Sequence, residues 1–400
     1  MSIDLKRRRL LQTAAMWPVA RAIGTGIGTS IGASTVAFAA PRVDRYRNLL
    51  VLVELKGGND GLNTVVPYAD TAYYALRPKL AIARDSVVQL SDRAGLHPSL
   101  APFAELWRAR ELAVLQGVGY PEPNLSHFRS IEIWDTASRS DEYLQDGWLA
   151  RTFAQKPVDA AYATDGVVIG SNDLGPLTGS GARTIALADT QTFLRRARLA
   201  QPANATTNKA LEHILKVEGD IVQARTHLGA DHAFVTDFPK NAFGNAVKTA
   251  CQVIANPAGV AAVRLTLTGF DTHSNQIGTH ARLLGELAGG LIALKKALIE
   301  LDRWNDALVL TYAEFGRRPK ENLSLGTDHG TATVHFALGG RVAGGLYGEA
   351  PDLTALGGDG NPRYALDFRG VYATVLERWW NVDSRNALGG RFAPLAFVRG

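Results

Sequence analysis

The sequence predicts an α/β fold, a three-layer α/β/α sandwich with a mostly parallel central sheet, on three observations. Apolar, β-rich runs recur at 48–60, 260–273 and 305–316, each running straight into glycines or acidic residues. Helical patterns with apolar residues at three- and four-residue spacing stand between them, and strands that alternate with helices pair in parallel and are covered on both faces. The chain has 400 residues, 46% hydrophobic and 20% charged, enough to bury such a core as one large domain or two smaller ones.

The chain opens on MSIDLKRRRLLQ, where Lys6, Arg7, Arg8 and Arg9 precede a mildly apolar, Gly-rich run from Ala14 to Ala39. This is the pattern of a twin-arginine signal peptide over residues 1–39. Ala37 and Ala39 flank Phe38 as small residues at alternate positions, which suits a signal peptidase, so the mature chain is expected to start near Ala40. Arg21 breaks the apolar run, and Gly, Ser and Thr follow it instead of Leu, which argues against a stable membrane span. The expectation is a periplasmic or secreted protein that meets the twin-arginine translocase during export.

The leader also carries most of the charge imbalance. The formal net charge is +5, but without residues 1–39 there remain 38 Lys and Arg against 37 Asp and Glu, a balance of +1. That balance implies no nucleic-acid partner. Cys251 is the only cysteine, so no intrachain disulfide can form, and its setting in VKTACQVI suggests a buried helix position.

The first element of the mature chain is NLLVLVELKGGND, residues 48–60, read as a buried parallel strand ending at Gly57 and Gly58. ELAVLQGVG, 111–119, is a second strand that leads into PEPNLSHFRSIEIWDTA, 121–137. There Pro121 and Pro123 hold the loop extended before a helical pattern starts near His127. Residues 206–255 are mostly helical in pattern, clearest in NKALEHILKVEGDIVQARTHL, and read as a helical insertion. VAAVRLTLTGFDTH, 260–273, and NDALVLTYAEFG, 305–316, are further strands; LLGELAGGLIALKKALIELDRW, 283–304, and DFRGVYATVLERWW, 367–380, are amphipathic helices.

In open parallel sheets, the loops after the strand C-terminal ends line the crevice where ligands bind. Asp60 follows the first strand, Asp271 and His273 follow the strand at 260–273, and Glu314 follows the strand at 305–316. Asp328 and His329 stand one short loop later, between Gly326 and Gly330. Carboxylates and imidazoles gathered at one edge are the ligand set of a divalent-metal site. Taken singly, each Asp is as readily a helix N-cap or turn residue, and each His an ordinary loop residue. Their coincidence at strand ends favours a shared site, because caps would scatter over both edges of the sheet.

Ser126 falls at the start of the helical pattern, where free N–H groups and the helix dipole steady an anion. It is either a nucleophile or a plain N-cap, and His127 beside it is open in the same way. Arg317 and Arg318 are candidates for binding anionic oxygens, or for a surface role. A dinucleotide enzyme built on Gly57 and Gly58 is disfavoured because the G-x-G-x-x-G spacing is absent.

Five stretches, GGNDGLNTVVPY, NLSHFRSIEIWDTA, TGFDTHSNQ, TYAEFGRRPKENLSLGTDHGTA and DFRGVYATVLERW, follow one another in that order. With the twin-arginine leader they resemble an exported bacterial family of unknown function assigned to the alkaline phosphatase superfamily. The resemblance covers nearly the whole mature chain. It implies an alkaline phosphatase-like domain over residues 40–400, with divalent metal ions as cofactors; Zn, Mg, Mn and Ca are all open.

Carried over by position, Asp60 resembles the superfamily's first-strand metal ligand and Ser126 its nucleophile. Asp271 and His273 resemble the Asp and His of one metal position, with one intervening residue where three are usual. Glu314 takes an Asp position, Phe315 stands where a His ligand would be, and His329 looks like the last His ligand, oriented or joined by Asp328. A rival alignment equates Asp328 and His329 themselves with the Asp-His pair and leaves Glu314 as a more distant acid. The implied function is an exported metal-dependent hydrolase of phosphate or sulfate esters, with a small anionic substrate. The alternative is a non-catalytic exported binding protein that keeps the fold and meets an exported partner.

Overall fold

The computed structural model describes residues 44–187 and 232–399. The leader expected at 1–39, and residues 206–231 of the insertion expected at about 206–255, lie outside them.

Among the described residues, nine strands form the central sheet: β1 Leu49–Lys56, β2 Leu112–Gly119, β3 Thr164–Ile169, β4 Thr184–Leu187, β5 Val260–Thr268, β6 Ala307–Tyr312, β7 Thr333–Leu338, β8 Gly345–Gly348 and β9 Leu366–Asp367. Side by side they run β8-β2-β7-β6-β1-β5-β3-β4, with β9 also paired to β2. Every pair is parallel except the two made by β7, which is antiparallel to β2 and to β6. The mostly parallel sheet is therefore as the sequence predicts.

β1 lies centrally, with Val51 opposite Val263 of β5 on one side and Val309 of β6 on the other. Helices cover both faces, so the strand is buried up to Leu55 and reads as one apolar run, not as an alternating pattern. Successive side chains still point to opposite faces. Leu49, Val51, Val53 and Leu55 join one core, while Leu50 and Leu52 join the other.

Among the described residues, helices that build the layers include α1 His127–Thr136, α2 Trp148–Gln155, α3 Ala242–Ile254, α4 Gln276–Glu300 and α5 Phe368–Ala373. α3 and α4 contribute Val247, Cys251, Leu284 and Leu291 to the first core; α1, α2 and α5 contribute Ile133, Trp148 and Tyr372 to the second. The described end of the expected insertion is thus a helix of the main core. Cys251 is buried there, and burial pushes its thiol pKa up, as suits an inert packing residue. The helix expected at 367–380 is α-helical only through Ala373 and continues as a π-helical turn, Thr374–Trp379. Across its end, the indole N–H of Trp379 donates to the carbonyl of Leu49 and that of Trp380 to the carbonyl of Asn48.

One charged network crosses the second core. Arg264 on β5 is fully buried and donates to Glu54 on β1 at 2.8 Å and to the Tyr312 hydroxyl at 2.7 Å. The fold thus fixes two neighbouring strands of the sheet to β6 through polar side chains as well as through the backbone ladder.

Topology then decides where the chemistry gathers. β1, β2, β5 and β6 all end at the same edge, and β7, running the other way, begins there. The loops holding Asp60, Ser126, Asp271 and Glu314 therefore meet the segment just before Thr333, which holds His329. Gly57 and Gly58 make the approach close: both have positive φ, and a Cβ on Gly57 would overlap the backbone N of Asp271, while one on Gly58 would enter the Phe315 ring.

Candidate metal centre

Three short segments deliver the side chains. Asp271 and His273 follow β5; His329 and Gly330 pair with Arg317 and Gly316 in a small antiparallel ladder; His127 is the first residue of α1. Their ring nitrogens and carboxylate oxygens converge. His273 Nε2 lies 3.0 Å from Asp271 Oδ1 and 3.0 Å from His329 Nε2, and His329 Nε2 lies 3.2 Å from the same Asp271 oxygen. His127 Nε2 stands 3.5 Å from the other oxygen, Oδ2. Possible ligand atoms of His127, Asp271 and His329 all fall within 4.8 Å of one another.

Each of the three histidines is turned by a partner on its other nitrogen. His329 Nδ1 lies 2.8 Å from the carbonyl of Leu125, which can only accept, so the proton sits on Nδ1 and Nε2 carries a lone pair. His273 Nδ1 faces Asp328 Oδ1 at 3.2 Å, and His127 Nδ1 faces Glu314 Oε1 at 2.9 Å. Carboxylates accept, so the same tautomer follows for both rings. Metal-binding histidines are oriented in this way, with the outer N–H donated to a carbonyl or carboxylate.

The triangle formed by His273 Nε2, His329 Nε2 and Asp271 Oδ1 is therefore made of three electron-pair donors. Without a proton or a cation among them they repel. Donors bound tetrahedrally to a zinc-sized ion at about 2.0–2.1 Å stand about 3.3 Å apart, which the observed sides of 3.0, 3.0 and 3.2 Å approach. The residues present fit a divalent ion.

The electrostatics agree. The hydrogen bond that His127 donates to Glu314 pushes the imidazole above its ordinary pKa, against the effect of burial, so this crevice attracts positive charge. Burial, with the nearby Arg317 and His127 charges, pushes His329 down and keeps its lone pair available. Partial burial works to raise Asp271, but the hydrogen bond and charge of Arg317, with His273 and His127, hold its carboxyl below the usual range. The hydrogen bond from Asn322 lowers Asp328.

The remaining expected residues are placed differently. Asp60 is buried, caps the helical turn Gly61–Thr64 by accepting from Leu62 N and Asn63 N, and pairs with both terminal nitrogens of Arg77 at 2.6 and 2.9 Å. Gln276 donates to it as well. These partners surround the carboxylate expected as a metal ligand. Glu314 and Asp328, also expected as ligands, each stand against a ring nitrogen, Glu314 at His127 and Asp328 at His273. Glu314 Oε1 also accepts from Gly57 N, while its buried Oε2 has no partner.

Arg317 is fully buried and donates to the carbonyls of Gly57, Gly58, Phe270 and Thr327 and to Asp271, so it is a brace and not a free anion-binding group. Phe315 stacks at 4.5 Å from the His329 ring and 4.9 Å from that of His127, walling the centre on one side. Ser126 is exposed and its hydroxyl does not cap α1; it lies between Leu125, which binds His329, and His127. His127 is the residue that sequence reasoning left open. Its signal was its place at a strand-end loop, like the other clusters.

No curated protein matches the chain. Among solved structures, the PsFucS1 sulfatase from Pseudoalteromonas sp. is similar at 10% identity, over 87% of this chain and 70% of that one, with a TM-score of 0.40. The C-terminal periplasmic domain of EcEptC from Escherichia coli, in complex with Zn, is similar at 11% identity, over 73% and 72%, with a TM-score of 0.34. A putative sulfatase from Bacteroides thetaiotaomicron is similar at 10% identity, over 86% and 75%, with a TM-score of 0.39. These are likenesses in the course of the chain. The model of a protein family of unknown function, DUF1501, matches residues 107–378, more than half of the sequence, and the chain belongs to that family.

Proposed function

We propose that this protein is a metal-dependent hydrolase of phosphate or sulfate monoesters, exported on its twin-arginine leader, with a single divalent ion held by His127, Asp271, His273 and His329. The observation that supports it is the triangle of three unshared electron pairs, each fixed in direction by a partner behind it. A set rich in imidazole suits Zn, Mn or another transition ion better than Mg or Ca, which prefer oxygen ligands.

Such an ion supplies Lewis-acid polarisation of the ester and a lower pKa for a nearby hydroxyl. Ser126 is the proposed nucleophile: its Oγ forms a bond to the phosphorus or sulfur as the bond to the ester oxygen breaks, the hydroxyl proton passes through solvent to the departing alcohol, and water then cleaves the seryl ester to release phosphate or sulfate and restore the hydroxyl. The first-turn N–H groups of α1 steady the anionic oxygens. Arg317 holds Asp271 in place, and Glu314, Asp328 and the Leu125 carbonyl hold the three rings. Arg77 supplies a permanent cation at Asp60, so a second metal is not expected there.

That last observation, together with Phe315, favours a second reading: an exported binding protein that keeps one metal and no catalysis. Hydrolysis of aryl phosphate and aryl sulfate by metal-loaded protein separates the two. Turnover that drops by roughly a hundredfold or more in Ser126→Ala, with metal content kept, supports the hydrolase. Equal inactivity of both proteins supports the binder.

A further inference from the structure

Exposed apolar side chains stand on the segments around the metal centre. Among the described residues eight large apolar or aromatic side chains are exposed, and four of them, Phe128, Ile277, Leu323 and Tyr364, stand on the segments that enclose this one crevice. Exposed apolar residues scattered singly need no explanation, whereas their concentration around a site marks a surface that a ligand covers.

The segments are tied to the site by specific bonds. Phe128, 89% exposed, directly follows His127. Leu323, fully exposed, follows Asn322, whose side chain donates to Asp328 Oδ1 and to the His273 carbonyl. Ile277 lies in the first turn of α4, after Asn275 and Gln276, whose backbone N–H groups donate to the carbonyls of Ser324 and Leu325, the two residues after Leu323. Tyr364 belongs to the segment whose Pro362 carbonyl accepts from Thr331, two residues after His329. Arg77 and Arg317 are buried and bonded within the fold, so neither reaches the outer part of a substrate.

We propose that the site takes amphiphilic monoesters, with the anionic phosphate or sulfate head at the metal centre and an alkyl or aryl group of several carbons lying over Phe128 and Leu323. This rests on the monoester reading of the centre and adds the class of its organic half. Burial of the chain against these side chains contributes at most roughly fourfold in affinity per methylene.

The test uses metal-loaded mature protein and ethyl-, hexyl- and decylphosphonate, each below its micelle concentration, titrated by calorimetry. Affinity is expected to rise roughly tenfold or more from ethyl to decyl, and the rise is expected to shrink below roughly threefold in Phe128→Ser/Leu323→Ser. No rise in the wild type, or the same rise in the double variant, would overturn the proposal. So would adsorption to plain phosphatidylcholine vesicles that is lost in the double variant, which would assign the rim to a membrane surface. Phosphonates are not turned over, so this result is separate from failure of the hydrolase reading, which appears as absence of Ser126-dependent release of the aryl alcohol.

Discussion

His273 Nε2 and His329 Nε2 lie 3.0 Å apart, although each ring already points its other nitrogen at an acceptor, Asp328 for one and the Leu125 carbonyl for the other. Two lone pairs face each other across a gap that Asp271 Oδ1 also borders. That relationship is what a bound cation resolves, and the expectations below follow from it and from the partners around it.

Orientation from behind should matter measurably less than ligation. Glu314→Gln keeps the shape but weakens the acceptor that turns His127, so metal affinity should fall by roughly 10- to 100-fold, with Asp328→Asn similar at His273. Competition with a metal-sensitive dye measures this. A loss as complete as that of His329→Ala would show that these acids are ligands themselves.

Asp60 and Arg77 form a structural pair. Arg77→Ala strands a carboxylate that is 1% exposed, so unfolding in urea should show a loss of about 3–5 kcal/mol while metal content stays at the wild-type value. Loss of metal in a protein that is still folded would return Asp60 to the ligand set.

The buried network predicts a second stability effect of the same kind. Arg264→Met removes the guanidinium paired with Glu54 and leaves that acid buried, and should cost about 3–5 kcal/mol. The double change Glu54→Gln/Arg264→Met should recover part of the loss, because no uncompensated charge then remains.

Acid sensitivity should have an identifiable contributor. His335 on β7 is buried, neither ring nitrogen has a partner, and burial lowers its pKa to about 3. The unfolded chain, with an ordinary value of about 6.5, therefore binds the proton first as pH falls, so stability present above pH about 6.5 drains away down to pH about 3. His335→Leu should be close to neutral at pH 7 and should lose about 2 kcal/mol less than the wild type between pH 7 and 4.5. Parallel pH profiles from denaturant unfolding would rule this out.

The sequence carried the sheet well, because β1, β5 and β6 are buried on both faces and advertise it as unbroken apolar runs. It also carried the edge at which the acids gather, because strand direction and loop position follow from the alternation of elements. It did not show which of these acids already has a partner in the fold. Asp60 looks like the other strand-end acids until Arg77, 17 residues on and in another segment, is seen to occupy it. His127 and Ser126 are neighbours with the same local context, and contacts distant in sequence, His329 to Leu125 and His127 to Glu314, bring that loop against the other histidines. Likewise Arg317 and Arg318 are indistinguishable in sequence, yet the small ladder to His329 turns the first fully inward.

Metal stoichiometry is the measurement that tests the centre most directly: elemental mass spectrometry on mature protein exported in its native host, beside a His329→Ala variant. The expected result is about one divalent ion per chain, lost in the variant, because Arg77 already fills the place at Asp60. No ion in the wild type, or an ion content that His329→Ala leaves unchanged, would contradict a metal centre at His127, Asp271, His273 and His329.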